Sequence, residues 1–348
     1  MGALSRPLRV VGAGAVTPAG LTAPQTCAAF RAALSAFEEY VRPEPFGAIQ
    51  LVARVPAHWR LRRTEGDWLV NMAARAITEA LGAADPRDTL LLLMPPESFR
   101  GHPAYDDIPP ARFLEAVQSA VGVRFHPASR ALDGGPAAAI GVLDHALQTM
   151  ARQGAGQIVL GGVDSLINGA DLARLDRANR LKGDGNAQGL VPGEAAVFVR
   201  LAPAPAADAP AAVLATGVAE ETDTVASERY SQGRAMLRAL RAAVALAVAV
   251  ADHEGDVGLG RARPGYGGWE AMIARPRFYR TRREMLPTAY PAMTFGEVGT
   301  AGAALALMVA ADSLAEGYAP GPVAMCEIAS EGGLRAAAVV AGPGRGDG

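Results

Sequence analysis

The chain has 348 residues, of which 50% are hydrophobic and 20% are charged, and its formal net charge is −2 at pH 7. This composition is typical of a globular protein with a large apolar core, and the lack of a basic excess argues against nucleic-acid binding. The longest fully apolar run, residues 242–251, is far shorter than the roughly 20 residues of a membrane span, and the N-terminus lacks a signal-peptide pattern. We therefore expect a cytoplasmic protein without a membrane span.

The two cysteines indicate neither a metal site nor a disulfide. Cys27 and Cys326 lie far apart in the sequence, without the short spacings that metal-binding motifs use. We expect reduced, buried thiols in a reducing compartment. We predict no cofactor and no metal.

The first predicted elements are a strand at Leu8–Val11, a glycine-rich turn at 12–20 and a helix at about 24–34. Gly12-x-Gly14 after a strand begins like a dinucleotide-binding fingerprint. However, the third glycine is missing, and Pro18 stands where the helix should already have begun. The pattern favours a tight turn packed in the core over a nucleotide site.

The next elements alternate between helix and strand. A broad apolar face predicts a helix over Thr64–Gly82, ended by a glycine cap. Leu90–Met94 is a short apolar run stopped by two prolines, typical of a strand covered on both faces in a parallel sheet. A loop and a helix at 111–121 follow, so the order indicates an α/β fold.

The segment Ser129–Ser165 contains the strongest pattern in the chain. A Gly/Pro elbow leads into a helix over 137–150, whose apolar positions fall all round its surface, and a strand then ends in Gly161-Gly162. We expect this helix to be buried on every side. Its N-terminus would present free backbone N–H groups at the elbow, where a nucleophile or an anion would be stabilised.

A long polar stretch, 164–193, separates this strand from another at 195–201. Loops of this length in a compact domain are usually functional or cover a pocket. Glu194 follows Pro192-Gly193 at the start of the second strand. We expect its carboxylate to accept hydrogen bonds from buried backbone groups and to have a structural role.

A Pro/Ala-rich linker at 202–212 divides the chain into two predicted halves, 1–201 and 213–348. The second half repeats the order of the first. It has a strand at 213–218, a helix at 234–251, a small-residue helix within 296–315 and a closing hairpin formed by 323–328 and 336–340.

These features resemble those of the β-ketoacyl synthases of the thiolase superfamily. The similar motifs are Gly12-x-Gly14 with Thr17-Pro18, the elbow followed by Ala139-Ile140-Gly141, the Gly161-Gly162 pair, and Pro192-Gly193-Glu194. The resemblance implies a thiolase-like fold, with two pseudo-duplicated α/β halves stacked as α-β-α-β-α layers.

The resemblance also implies that the catalytic residues have been lost. In the family the elbow carries a cysteine, and counting back from Ala-Ile-Gly places that position on Asp133, or on Leu132 if the turn is one residue longer. Glu297 stands in the place of the second catalytic histidine, and no histidine replaces the first. His145 lies on the predicted buried helix and is expected to be a core histidine.

Asp133 is a poor thioester acceptor, and Glu297 would repel an enolate. The expected function is therefore that of a non-catalytic binding or scaffold protein, a pseudoenzyme. Two alternatives are open: an atypical acyltransferase of the 3-oxoacyl-carrier-protein synthase type, with Asp133 and Glu297 as paired acid and base, and an inactive partner subunit resembling the chain-length factors.

Several partners follow from this interpretation. We expect a homodimer, or a heterodimer with a ketosynthase-like protein, because thiolase-like domains pair a sheet edge across a two-fold axis. An acyl carrier protein is a further possible partner. Degenerate relatives with a Gly-Glu-Val-Gly segment like 296–299 resemble proteins encoded beside bacterial type VI secretion effectors, which adds a secretion effector to the candidates.

Overall fold

A computed structural model gives the architecture of the chain. The structure describes residues 3–41, 49–59, 64–99, 102–105, 108, 110–183, 186–203, 211–227, 229–247, 256–260, 266–279 and 286–342. Within these ranges the fold is mixed α/β.

The first part of the chain runs as far as residue 203. Its elements are β1 (Ala3–Val16), α1 (Ala23–Arg31), β2 (Phe37–Val41), β3 (Ile49–Ala53), α2 (Glu65–Leu81), β4 (Thr89–Met94), α3 (Pro110–Val121), β5 (Arg130–Ala131), α4 (Gly135–Gly141), α5 (Leu143–Gln153), β6 (Gln157–Ser165), α6 (Gly169–Arg177) and β7 (Glu194–Pro203).

The second part has a similar series of elements. They are β8 (Ala212–Glu220), α7 (Arg234–Ala247), β9 (Asp256–Gly260), α8 (Tyr266–Phe278), β10 (Thr288–Ala289), α9 (Ala292–Phe295), α10 (Gly302–Ala315), β11 (Val323–Ala329) and β12 (Leu334–Ala341). Strands β11 and β12 pair antiparallel, so the predicted closing hairpin is confirmed.

Ten of the described strands form one sheet with the order β10-β9-β11-β12-β8-β1-β7-β6-β4-β5. The order repeats outward from the centre. From β1 it runs β1-β7-β6-β4-β5, and from β8 it runs β8-β12-β11-β9-β10, so within this sheet each strand of one part has a counterpart in the other, whereas β2 and β3 pair with each other in a separate sheet. Strand β1 pairs antiparallel with both β7 and β8 and joins the two parts.

Alternation along the strands builds the layers. On β4 the side chains of Leu90, Leu92 and Met94 join the central core, whereas Leu91 and Leu93 face α2 and α3. The central core contains α4, α5 and α10 together with strands of both parts, and a third core packs α7 and α8 on β11 and β12. The α-β-α-β-α layering expected from the resemblance is therefore present.

The glycines at the start of the chain are part of a strand and not of a turn. Strand β1 continues through Gly12 and Gly14 to Val16, so the predicted turn at 12–20 is wrong over its first residues. A β-carbon on Gly14 would collide with the carbonyl oxygen of Ala76 in α2. Glycine is needed here because the helix packs directly against the strand backbone.

Most of the other predicted elements are confirmed, with three differences. The predicted helix 137–150 is two helices, α4 and α5, and α5 has an exposed face that includes His145. His145 is therefore not a core histidine. Helix α6 lies within the stretch predicted to be a loop. The elements that were not expected from the sequence are β2, β3, β5, β9, α8, β10 and α9.

Part of the predicted linker lies outside the described residues. Strand β7 ends at Pro203 and β8 begins at Ala212, so the division into two halves at 202–212 stays a prediction. The last residues of the helix predicted at 234–251, residues 248–251, also lie outside the described residues. No helix in the ranges given above is both long and apolar enough to cross a membrane.

Candidate functional site

The elbow between β5 and α4 is formed by two glycines. Gly134 has φ 108° and Gly135 has φ 70°, in the left-handed region that other residues rarely adopt. Strand β5 can therefore reverse directly into α4, and Pro136 follows in the first turn of the helix. The predicted elbow is present, and its shape depends on this glycine pair.

Gly135 faces the interior of the site. A β-carbon added to Gly135 would collide with the carboxylate of Glu97 and would lie 2.7 Å from Oγ of Ser330. Glu97 comes two residues after Pro95, just beyond the end of β4. The space into which a side chain at position 135 would project is therefore filled by two other residues.

Ser330 belongs to the turn between β11 and β12, residues 330–333, which we call the closing turn. Its hydroxyl donates to the carbonyl oxygen of Gly134 at 2.7 Å and accepts from the amide of Ala137 at 3.0 Å. The C-terminal hairpin thus satisfies one of the first backbone N–H groups of α4, which have no partner within the helix.

The carboxylate of Glu97 holds the same turn. It accepts the amide of Glu331 at 3.0 Å and the amide of Gly332 at 2.5 Å. Hydrogen bonds between an ionised carboxylate and backbone amides are among the stronger ones in proteins. Glu97 therefore ties the closing turn to the end of β4.

The side chain of Glu331 is bound on its other side by two arginines. Its carboxylate accepts from Arg174 at 3.1 Å and from Arg180 at 2.8 Å. Arg174 also forms two hydrogen bonds to one oxygen of Asp171, at 3.1 and 2.9 Å. The second oxygen of Asp171 lies 3.2 Å from Nε2 of His102.

The pKa values of this network follow from its charges. Burial opposes ionisation of Asp171, but hydrogen bonds from His102 and Asn168 and the charge of Arg174 outweigh it, so its pKa lies below the usual value. Burial opposes the charge of Arg174 as well, yet Glu331 and Asp171 raise its pKa. Both groups are therefore charged at neutral pH.

A cavity of about 240 Å³ lies between the elbow, α6 and the closing turn. Three carboxylates, those of Glu97, Asp164 and Glu331, line it, together with the guanidinium of Arg174. Oδ2 of Asp164 accepts the amide of Thr300 at 2.9 Å. The lining contains no thiol and no imidazole among the described residues.

The predicted site residues lie elsewhere. The side chain of Asp133 is exposed, and Leu132 packs at the edge of the central core. Glu297 is buried, and its backbone pairs with Val191 at 2.8 Å and Gly193 at 2.9 Å. None of the three lines the cavity; the elbow residue in its lining is Pro136, and a side chain at the preceding Gly135 would point at Glu97, another lining residue.

Glu194 is fully buried at the start of β7. Its carboxylate accepts three hydrogen bonds: from the amide of Val55 at 3.0 Å, from the indole of Trp68 at 2.9 Å and from the hydroxyl of Ser165 at 3.0 Å. This geometry is that of a carboxylate whose function is structural. The role itself stays a prediction, to be tested by substitution.

Sequence reasoning missed the residues that form the cavity. Glu97 and Asp164 had a usable signal, because ligand sites in parallel sheets lie at the carboxyl ends of the strands: Glu97 follows β4, and Asp164 is the penultimate residue of β6. The arginines of and after α6 lie in the stretch 164–193, which was expected to be functional or to cover a pocket, but no pattern singled them out, and the closing turn had no signal. They meet the elbow only through contacts between residues far apart in sequence.

Comparison with solved structures identifies the architecture. The sequence matches no protein-family model and no curated protein. In structure the chain is similar to a chain of the complex AntDE:AntF, described as a type II polyketide synthase acyl-carrier protein in complex with its ketosynthase bound to the hexaketide. The TM-score is 0.76 and the identity is 14%, over 97% of this chain and 99% of that one.

The ishigamide ketosynthase/chain length factor gives a TM-score of 0.76 and 17% identity, over 97% of this chain and 99% of that one. A ketosynthase from module 6 of the bacillaene synthase of Bacillus subtilis 168 gives 0.73 and 11%, over 97% of this chain and 72% of that one. The chain therefore has the thiolase-like fold of ketosynthases and chain-length factors.

Proposed function

We propose that this chain is a catalytically inactive ketosynthase-like protein that acts as a binding or scaffold component. The observation that carries the proposal is Gly135. Gly135 has no side chain, the space into which one would project is occupied by Glu97 and Ser330, and the elbow residue that lines the cavity is Pro136. The elbow therefore offers an acyl chain no nucleophile, and no space for the acyl group beside Gly135.

The charges around the cavity support the same proposal. Thioester transfer needs a soft nucleophile, and decarboxylative condensation needs donors or positive charge near the developing enolate and oxyanion. The cavity presents three carboxylates to one guanidinium, and that guanidinium already bonds to Asp171 and Glu331. Its field would disfavour a malonyl group and the enolate formed from it.

The partner we propose is a ketosynthase-like protein or an acyl carrier protein. Both kinds of protein occur in the complexes to which this fold is similar. In one arrangement the chain pairs with an active ketosynthase as a chain-length factor does, and in another it forms a homodimer. The buried, reduced Cys27 and Cys326 support our proposal that this takes place in the cytoplasm.

A secretion adaptor is the second candidate, supported by the Gly296-Glu297-Val298-Gly299 segment. In the structure this segment is almost fully buried, with the backbone of Glu297 bridged to Pro192 and Gly193. The motif therefore contributes to the core of the fold, and the surface that would bind an effector lies elsewhere.

Affinity purification from the native cell with mass spectrometry tests the proposal. We expect a ketosynthase or an acyl carrier protein to co-purify in a defined ratio, and a secretion effector would favour the second candidate. Incubation of the pure protein with acyl and malonyl thioesters gives the opposing test. A stable acyl adduct, or carbon dioxide release above background, would contradict the proposal and favour the atypical acyltransferase.

A further inference from the structure

The closing turn makes three separate sets of contacts with the first part of the chain. Ser330 contacts Gly134 and Ala137 at the elbow. The amides of Glu331 and Gly332 contact Glu97, and the side chain of Glu331 contacts the two arginines. We propose that the closing turn is an autoinhibitory latch, which keeps external groups out of the space above Gly135 until the turn lifts.

This inference deepens the proposed function and rests on it in one respect: it explains how an elbow without a nucleophile is also kept closed. The hydroxyl of Ser330 occupies the acceptor position beside the Ala137 amide, and the carboxylate of Glu97 occupies the space above Gly135. Any incoming group must displace both, and must replace the acceptor that the Ala137 amide would lose.

The contacts are suited to a reversible latch. Glu331 is 29% exposed and Arg174 35% exposed, so water and salt screen their ion pair. The turn also contains Gly332 and Gly333, and Gly333 has φ 107°. Rearrangement of the turn about these glycines leaves the buried interior of β12 in place, as is usual for local opening.

The latch predicts how fast a buried thiol in the cavity can be alkylated. Leu166 lines the cavity and is 8% exposed, whereas Ser98 lies on its exposed rim. Leu166→Cys places a reporter thiol inside the cavity, and Ser98→Cys places one on its rim. The native thiols of Cys27 and Cys326 are buried, and burial raises the pKa of each to about 12, so the background reaction is slow.

We expect iodoacetamide to label Leu166→Cys at least about tenfold more slowly than Ser98→Cys, as for a site reached only by local opening. Adding Glu97→Ala, which removes both acceptors of the turn, should raise the rate at Leu166→Cys several-fold. Adding Glu115→Gln, a change on the exposed face of α3, is the matched control and should leave it unaltered.

Rapid labelling of Leu166→Cys with the latch intact would overturn the proposal, and so would an unchanged rate after Glu97→Ala. If Leu166→Cys does not fold, amide hydrogen exchange tests the latch without a reporter thiol. The Glu331 and Gly332 amides should be protected, and Glu97→Ala should release both. Equal exchange in the two chains would refute the latch. These measurements report access alone, so an acyl adduct would refute the proposed function and leave the latch standing.

Discussion

Gly14 and Gly217 hold equivalent positions in the two parts of the sheet. A β-carbon on Gly14 would collide with the carbonyl oxygen of Ala76 and lie 2.7 Å from the amide nitrogen of Ala80, and one on Gly217 would meet Ala239 and Ala243 in the same way. Each contact joins a strand next to the centre of the sheet, β1 or β8, to the helix that packs on it, α2 or α7. The repeat therefore extends from strand order to single backbone contacts.

The first prediction follows from this repeat. Gly14→Ala and Gly217→Ala should each lower the free energy of unfolding by about 1–3 kcal/mol, because the added carbon forces the helix away from the strand. Denaturant unfolding measures the effect. Gly169→Ala is the matched control, since nothing lies within 4 Å of its added carbon. A neutral result at both Gly14 and Gly217 would show that these helices shift without cost.

The second prediction concerns Glu194. Glu194→Ala leaves a buried amide, an indole N–H and a hydroxyl without their acceptor, and each such group costs about 1–3 kcal/mol. We expect a lower melting temperature in calorimetry. Glu115→Ala, at an exposed position, should leave the melting temperature unchanged. An unaltered melting curve for Glu194→Ala would mean that water replaces the carboxylate.

The sequence predicts those features of the fold that depend on neighbouring residues, and it does not predict contacts between residues far apart in the chain. The continuous apolar run Leu90–Met94, typical of a strand covered on both faces, and the capped helix after Thr64 are local patterns, and both are present. Strand β9 has only two large apolar residues and β10 is two residues long, so neither run is long enough to give such a signal.

The candidate site shows the same limit. The elbow was predictable from its glycines, but which of its residues lines the cavity was not, because the other cavity walls come from residues far away in the sequence. Counting back from Ala-Ile-Gly without a gap leads to Asp133, whose side chain is exposed, and its assignment to the nucleophile position stays a prediction. That Gly135 faces Glu97 and Ser330 depends on residues far away in the sequence, which no local pattern reports.

The third prediction tests the crowding above Gly135. Gly135→Ala should destabilise the fold through its left-handed backbone and through its contact with Glu97. In the double variant with Glu97→Ala, the contact between the added β-carbon and the Glu97 carboxylate is absent. We expect a coupling of about 1 kcal/mol or more between the two substitutions in a double-mutant cycle. Additive effects would show that Glu97 moves aside freely.

The fourth prediction concerns thioester chemistry. The native chain should gain no acyl adduct from acyl-CoA or acyl-carrier-protein thioesters, and Asp133→Cys should not restore decarboxylation of a malonyl thioester. A thiol at this exposed position can be acylated by chance, but the residues that would stabilise an enolate are still missing. Intact-protein mass spectrometry and carbon dioxide release measure the two steps. Condensation by Asp133→Cys would show that Asp133 holds the nucleophile position after all.

The fifth prediction concerns the free edge of the sheet. Strand β5 is an edge strand among the described strands, and the amide of Leu132 already pairs with Leu93 at 2.9 Å. Alternation along a strand turns the amide of Ala131 outward, towards a second copy or a ketosynthase partner. We expect a dimer by light scattering and a monomer for Ala131→Pro. Ala289→Pro on the opposite edge strand, β10, is the control and should remain dimeric. A monomeric native chain at micromolar concentration would contradict this.

The closing turn also sets an order of events during synthesis. Ser330 and Gly134 are 196 residues apart, and ribosomes add about 5–20 residues each second. The elbow therefore emerges on the order of ten to forty seconds before the hydroxyl that covers it. During that interval the Ala137 amide faces water or another molecule. A nascent chain thus displays, for a short time, the open elbow that the finished protein conceals.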